Sequence, residues 1–277
     1  MSTEPFAQFE QHGPLMQAQE GMAVYDSKEA AMLHGVQDLQ GNTLMATDGA
    51  IGTPKDVYFD DETWIVRYLV ADTGGWLTGR RVLIAVVALG TGAWHAGELA
   101  VALTRDQIRH SPDIDTDKPI SRQHEAAYHR YYGYPYYWGG MGMGMYPLAM
   151  PVPDAPAPEA EGREKDDMHL RSMREVTGYA IHARDGALGH VADFLVDDAD
   201  WAIRWAVVST GNWLRGGRQV LVSPGWITAV RWERREVAVD LDRATIEHGP
   251  AFDPAAPVDR EYETRLYGYY GRPGYWR

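Results

Sequence analysis

The amino-acid sequence predicts a mainly β fold: two small β-barrels in tandem, each followed by a C-terminal helical and aromatic extension. Three observations predict it. Asp48 to Arg81 aligns without a gap on Asp185 to Arg218 at an offset of 137, with 16 identities in 34 positions. Short β-branched and aromatic runs, bounded by Asp-Gly and acidic turns, recur within each half. A stretch rich in Gly, Met and Pro lies between the halves and offers no periodic apolar face.

The elements follow in chain order. Residues 1–34 read as an acidic extension, with one Lys against five acids. Residues 35–135 form the first barrel with its extension. Its strands are expected at Gly41 to Ala46, Ile51 to Phe59, Trp64 to Ala71, Arg81 to Val87 and Glu98 to Leu103, and closing such a meander removes its edges. Thr104 with Gln107 makes a capping box for a short helical turn. A helix from Ser121 to Tyr132 then stops at Gly133. Residues 136–169 are the linker, containing GGMGMGM and five prolines between 147 and 158. Residues 170–277 repeat the plan: strands at Gly178 to Ala183, Leu188 to Val196, Trp201 to Val208, Gln219 to Ser223 and Glu236 to Leu241, Asp242 at the N-cap, and a helix from Asp259 to Tyr270 stopped by Gly271. Beyond Arg81 one inserted residue moves the offset to 138, which pairs His110 with His248, Glu125 with Glu263 and Tyr131-Tyr132-Gly133 with Tyr269-Tyr270-Gly271.

Composition excludes several classes. Twenty-six basic residues against 39 acidic ones give a formal charge of −13, a field that repels phosphate backbones and anionic lipid, so nucleic acid is an unlikely partner. The absence of cysteine removes disulfides, thiolate metal sites and cysteine nucleophiles. The longest apolar run, Val82 to Leu89, is too short to span a bilayer, and Met1 to Gly35 lacks the parts of a signal peptide. The expected location is the cytoplasm.

The candidate sites each have a structural reading beside a chemical one. His124-Glu125-Ala-Ala-Tyr-His129 misses the HExxH zinc spacing by one residue, because Tyr128 stands at i+4; a solvated helix face is the expectation. Asp60-Asp61 and Asp197-Asp198 offer paired carboxylates, but hairpin-turn hydrogen bonding explains them. Arg67 and Arg204 sit in otherwise apolar strands and are expected to pair with a turn-side aspartate, Asp56 or Asp193. Trp76 and Trp213 lie in glycine-flanked loops, as partner anchors or as plugs closing their own barrel. The aromatic arms, represented by Tyr131, Tyr132, Tyr269, Tyr270 and Trp276, pack on the opposite copy or contact another chain. His110 and His248 cap helix ends. GGMGMGM lacks the lysine of a phosphate loop, and Ser209 and Ser223 lack a nucleophile-elbow context. No cofactor, metal or catalytic residue is expected.

The runs LQGNTLMATDGAIGTPKDVYFDDETWIVRYLVADTGGWLTGRRVLI and VTGYAIHARDGALGHVADFLVDDADWAIRWAVVSTGNWLRGGRQVLVS resemble the PRC-barrel family through the D-G-x-x-G turn, the aspartates before Trp64 or Trp201, and the G-x-W-x-x-G loop. The resemblance covers Asp38 to about Arg109 and Glu175 to about Glu247 and implies a small all-β barrel. It also implies a docking or assembly role, as in the cytoplasmic domain of the photosynthetic reaction-centre H subunit and the C-terminal domain of a ribosome maturation factor. From the sequence, neither the membrane helix that precedes an H-subunit barrel nor an RNA-maturation domain is expected before the first copy. The expectation is a non-catalytic interaction module with a protein partner or self-association. The alternatives are a peripheral subunit of a photosynthetic or other membrane complex, and a ribosome or RNA maturation accessory.

Overall fold

The computed structural model describes residues 32–89, 93–95, 97–112, 120, 122–138, 169–211 and 217–276. The acidic extension up to residue 31, the GGMGMGM run and the loop holding Trp213 lie outside the described residues. The protein is mainly β, with two seven-stranded mixed sheets and short helices.

The first half contains β1 (Leu33–Gly35), α1 (Val36–Leu39), β2 (Thr43–Ala46), β3 (Gly49–Asp60), β4 (Ile65–Asp72), β5 (Arg81–Ala85), β6 (Trp94–His95), β7 (Glu98–Val101), α2 (Arg105–Arg109) and α3 (Arg122–Tyr132). The second contains β8 (Leu170–Ser172), α4 (Met173–Val176), β9 (Ala180–Ala183), β10 (Gly186–Asp197), β11 (Ile203–Ser209), β12 (Gln219–Val222), β13 (Ile227–Arg231), β14 (Glu236–Val239), α5 (Arg243–Glu247) and α6 (Arg260–Tyr270). Strand order is β5-β4-β3-β2-β7-β6 in one sheet and β12-β11-β10-β9-β14-β13 in the other. The β2–β7 and β9–β14 pairs are parallel, the rest antiparallel. No ladder joins the two ends of either path among the described residues, so the closed hydrogen-bonded circuit expected from the sequence is not made. The 12-residue β3 and β10 serve three neighbours each and shift register along their length.

The D-G-x-x-G turn has a steric cause. Gly52 has φ +135°, and a Cβ there would fall 1.9 Å from the carbonyl oxygen of Asp72. Its counterpart Gly189 meets Ser209 the same way, at 2.0 Å. The second glycine of the motif therefore lets the next strand lie directly on the bend.

The edges are covered rather than joined. The Tyr128 hydroxyl donates to the Leu83 carbonyl at 3.0 Å and accepts the Ala85 N–H at 3.1 Å, which satisfies β5 from α3. On β12 the backbone does this work, through a bridge between Val220 and Ala251 and the Phe252 N–H to the Gln219 carbonyl at 2.8 Å. Both solutions remove open donors and acceptors from an edge.

The strands missing from the sequence reading tie the halves together. β1, at the start of the first copy, pairs antiparallel with β10 of the second. β8, at the start of the second copy, pairs antiparallel with β3 of the first. The exchange is reciprocal. His34 in β1 stacks on Trp94 with ring centroids 4.0 Å apart and meets Asp198 at 3.2 Å. Arg171 in β8 lies over Trp232 at 4.1 Å and meets Asp61 at 2.9 Å.

On the pseudo-twofold between the copies, the Val66 N–H donates to the Trp201 carbonyl at 2.9 Å and the Ile203 N–H to the Trp64 carbonyl at 2.8 Å. Phe59, Trp64 and Phe194 pack there within 6.4 Å of one another, centroid to centroid. Trp64 and Trp201 have φ of +56° and +60°. A bulky residue in the left-handed region costs on the order of 1–3 kcal/mol, and here the surrounding contacts hold both. The buried side chains of the two copies belong to one continuous core.

Candidate functional site

The polar residues shared by the copies converge on two related belts beneath α3 and α6. Each helix buries one glutamate, Glu125 at 2% and Glu263 at 3% exposure. In the first copy Glu125 accepts the Tyr68 hydroxyl at 3.0 Å and the Tyr137 hydroxyl. In the second, Glu263 accepts the Trp205 indole N–H at 3.0 Å and the Tyr275 hydroxyl at 3.3 Å, and meets Arg260 at 3.0 Å. Burial raises the Glu263 pKa above the usual glutamate value, opposed first by the Trp205 hydrogen bond and then by Arg260. The Tyr275 hydroxyl is pushed up to about 12 by burial and by the Glu263 charge.

The first belt holds more hydrogen-bonding groups. His129 Nε2 lies 2.8 Å from the Tyr68 hydroxyl and its Nδ1 lies 2.8 Å from the Pro135 carbonyl. The carbonyl only accepts, so Nδ1 carries a proton. The Tyr68 hydroxyl thus joins His129 on one side to Glu125 on the other. The solvated helix face expected for the His124 to His129 segment is thus a correction: His124 is exposed, but Glu125 and His129 are buried. The single turn between Glu125 and His129 places both against β4. Among the described residues no group of three or more His, Asp or Glu side chains is arranged to hold a metal.

The arginines close the outer side of each belt. Arg67 lies over the Tyr137 ring at 4.0 Å and Arg204 over Tyr275 at 4.2 Å. Their carboxylate partners differ from the expectation. Arg67 meets Asp60 at 3.8 Å rather than Asp56, and Arg204 meets Asp197 at 3.0 Å and also Asp200, rather than Asp193. The reason is register. Asp60 pairs with Ile65 and Asp56 with Val70 across β3–β4, which leaves Asp60 at the end of the sheet that Arg67 reaches. Asp56 and Asp193 face the exchanged helices α4 and α1 instead.

The acidic pairs divide their work. Asp60 accepts the Glu62 and Thr63 N–H groups at 3.1 and 2.9 Å, and Asp197 accepts Ala199 at 3.0 Å, the turn role expected of them. Asp61 and Asp198 receive Arg171 and His34 of the exchanged strands. Thr104 and Gln107 form the expected capping box. Asp242 stands at the N-cap without a side-chain cap bond, because Arg184 holds both its oxygens at 3.0 Å. His110 and His248 reach back to the Asp106 and Ala244 carbonyls. Ser223 caps a short turn through the Gly225 N–H.

Trp76 is half-buried on its own copy. Its indole N–H donates to the Ile51 carbonyl at 2.7 Å, and Arg105 lies over the ring at 4.6 Å. Trp213 lies outside the described residues. Tyr132 and Tyr270 are buried, whereas Tyr131, Tyr269, Tyr275 and Trp276 are about two-fifths exposed. Tyr131 and Tyr269 donate to the Gln107 and Thr245 carbonyls of the preceding helix at 2.9 and 3.0 Å. The arms therefore pack on their own copies and leave one aromatic face each in solvent. The signal for the belts was present in the matched pairs Glu125/Glu263 and Arg67/Arg204, but only the fold brings them within reach of Tyr68 and Trp205.

No family model matches the chain. It is similar to an uncharacterized protein of Deinococcus radiodurans, 32% identical over 74 residues. That match spans about 26% of this chain and 26% of the relative's length. Among the described residues no helix is long and apolar enough to cross a membrane.

Proposed function

We propose that the chain is a non-catalytic interaction module: two PRC-type barrels, locked into one body, that present their helical aromatic ends to a protein partner. The observation that carries this reading is the reciprocal strand exchange. It commits β1 to the second sheet and β8 to the first, and the shared polar residues serve that assembly: Asp61 and Asp198 hold the exchanged strands, and Glu125 and Glu263 hold the arms. A rigid double unit with aromatic faces at both helical ends suits docking, where pre-organisation limits the entropy lost on binding. The family resemblance supports the same role. The barrel description rests on the bent β3 and β10 and on the edge cover given by Tyr128 and by residues 251–252; the open seam between path ends is the departure from a closed circuit.

The test is quantitative affinity purification of the full chain from its native cell, beside a variant with Tyr131, Tyr269, Tyr275 and Trp276 changed to Ala. A near-stoichiometric protein partner that the variant loses supports the proposal. Retention of every partner by a folded variant, or a stoichiometric metal or redox or group-transfer cofactor in the purified chain, overturns it.

A further inference from the structure

The two copies place the same backbone groove against the exchanged helices, and they fill it differently. In the first copy the groove lies between β3, β4, β5 and α4 and is lined by Lys55, Asp56, Tyr58, Val70, Arg81 and Arg174, with about 20 Å³ of free space. In the second it lies between β10, β11, β12 and α1 and holds about 440 Å³. The position of Lys55 is taken by Ala192, Tyr58 by Leu195, Arg174 by Gln37, and Arg81 by Gln219, as the registers of β5 on β4 and of β12 on β11 show. Three cationic side chains and a phenol are replaced by neutral or smaller ones. Phe252, Pro254 and Pro257 form the far wall.

The carboxylate at the centre is kept but loses its donor. Asp56 accepts the Ser172 hydroxyl at 2.6 Å on Oδ2. The residue equivalent to Ser172 is Gly35, which has no hydroxyl. A Cβ at Gly35 would lie 3.0 Å from Asp193 Oδ2 and 3.0 Å from Asp38 Oδ2, so the two carboxylates face the same side-chain-free point. Asp193 accepts the backbone N–H groups of Val36, Gln37 and Phe194, the Gln37 bonds at 3.3 and 3.4 Å, but no side-chain donor equivalent to Ser172. Gln37 turns its side-chain amide away, to the Ala192 carbonyl at 2.8 Å. Among the described residues no Lys, Arg or His lines the groove; its charged lining groups are Asp38 on α1 and Asp193 on β10, and Asp253 of the far wall is outside the lining and accepts the Ala255 N–H at 2.9 Å.

We infer that the groove of the second copy binds a small organic cation, a protonated primary amine with an apolar body, its ammonium between Asp193 and Asp38 and its body over Leu195, Val207 and Phe252. The first copy is the internal precedent, with the chain's own cationic side chains lining the space around Asp56. The volume is within the range of small-molecule sites, about 300–1,000 Å³, and an ammonium supplies charge-assisted donors where the first copy has the Ser172 hydroxyl. Burial pushes Asp193 up to about 6, so the site is anionic at neutral pH and the cation binds less tightly in acid.

Calorimetric titration of the full chain at pH 7.5 with hexylammonium, hexanol and hexanoate tests this. The expected result is saturable one-to-one binding of hexylammonium, at least tenfold tighter than hexanol, with hexanoate weakest. Asp193→Asn should weaken it at least tenfold, Asp56→Asn should leave it unchanged, and Gly35→Ser with Ala192→Lys should close the site; circular dichroism checks that each variant folds. Equal binding of hexylammonium and hexanol to the wild-type chain, no saturation, or unchanged binding in Asp193→Asn overturns the inference. A capped lysine peptide that binds tenfold tighter than hexylammonium overturns the small-molecule occupant in favour of a protein tail.

Discussion

The first belt satisfies its buried glutamate from the sheet with a tyrosine on β4 that also meets a histidine one turn along α3, whereas the second uses a tryptophan on β11 and places Tyr267 where the first has His129. The arm tyrosine, the arginine over it and the glutamate itself are the same in both. What persists is a geometric demand: a carboxylate under the last helix that receives one donor from the sheet and one from the returning arm. What varies is how the space around it is filled. The second copy fills it with indole, Trp205 being fully buried against Trp226 and Tyr267; the first fills it with a hydrogen-bonded chain of Tyr68 and His129. One belt is held chiefly by packing and the other chiefly by hydrogen bonds.

Breaking each at its own strength separates them most. Trp205→Ala removes a fully buried indole and strands Glu263, with an expected loss of about 4 kcal/mol, measured by urea unfolding. Tyr68→Phe keeps the ring but removes the link between Glu125 and His129, and about 2 kcal/mol is expected. A Trp205→Phe variant that costs no more than about 1 kcal/mol would contradict the division drawn here.

The edge strands give the next contrast. Tyr128→Phe removes the hydroxyl that both accepts from Ala85 and donates to Leu83, leaving two buried backbone groups of β5 without it, at a cost of about 2 kcal/mol. The equivalent Leu266→Met exchanges volume for volume and should cost under about 1.5 kcal/mol, because β12 is covered by residues 251–252. Faster amide exchange at Ala85 in the first variant and unchanged exchange at Val220 in the second would locate the effect.

The sequence made the repeat, the hairpin strands, the capping box and the terminal helices legible, because turn chemistry and alternation are local. The Arg81 strand, expected to run to Val87, ends two residues earlier at Ala85, since Val86–Ala88 turn away from the ladder. β1, β8, β6 and β13 escaped: the two or three residues of β1, β8 and β6 carry no periodicity, β1 and β8 become strands only through pairing with the other copy, and β13 is broken by a register shift between Ile227 and Ala229. The ion-pair partners were misread for a related cause. Asp56 and Asp60 are both on β3, and which one meets Arg67 depends on a register shift between Tyr58 and Phe59 that composition does not reveal. Glu125 and Glu263 were visible as a matched pair, but their burial follows from the arm folding back, a long-range contact. The contrast between Gly35 and Ser172 has no meaning until the exchange places each opposite an aspartate.

That contrast carries a pH signature. Asp193 has its pKa raised from 3.8 to about 6, by burial first, with Asp38 adding to it. The folded state therefore holds more protons than the unfolded chain between these values, and the contribution is fully present below about pH 4 and lost as pH rises through 6. Asp193→Asn should remove this slope, so the variant gains on the wild type from pH 4 to pH 7 by on the order of 2 kcal/mol. Asp56→Asn instead weakens the bond to Ser172 and should lower stability by about 1 kcal/mol at neutral pH. Thermal melts of the three proteins across pH 4–7 check both signs.

The smallest difference is expected at the exposed rings. Tyr131 and Tyr269 make the same bond to the carbonyl of the residue before the last isoleucine of α2 or α5 or its equivalent turn, Gln107 and Thr245, and both rings are about two-fifths in water. A partly hydrated phenol exchanges a protein acceptor for water at little net cost, so Tyr131→Phe and Tyr269→Phe should each change stability by no more than about 0.5 kcal/mol. If these positions nonetheless alter partner recovery when the belts are intact, the aromatic faces act in docking; a stability loss above about 1.5 kcal/mol would make them structural struts between the last two helices of each copy.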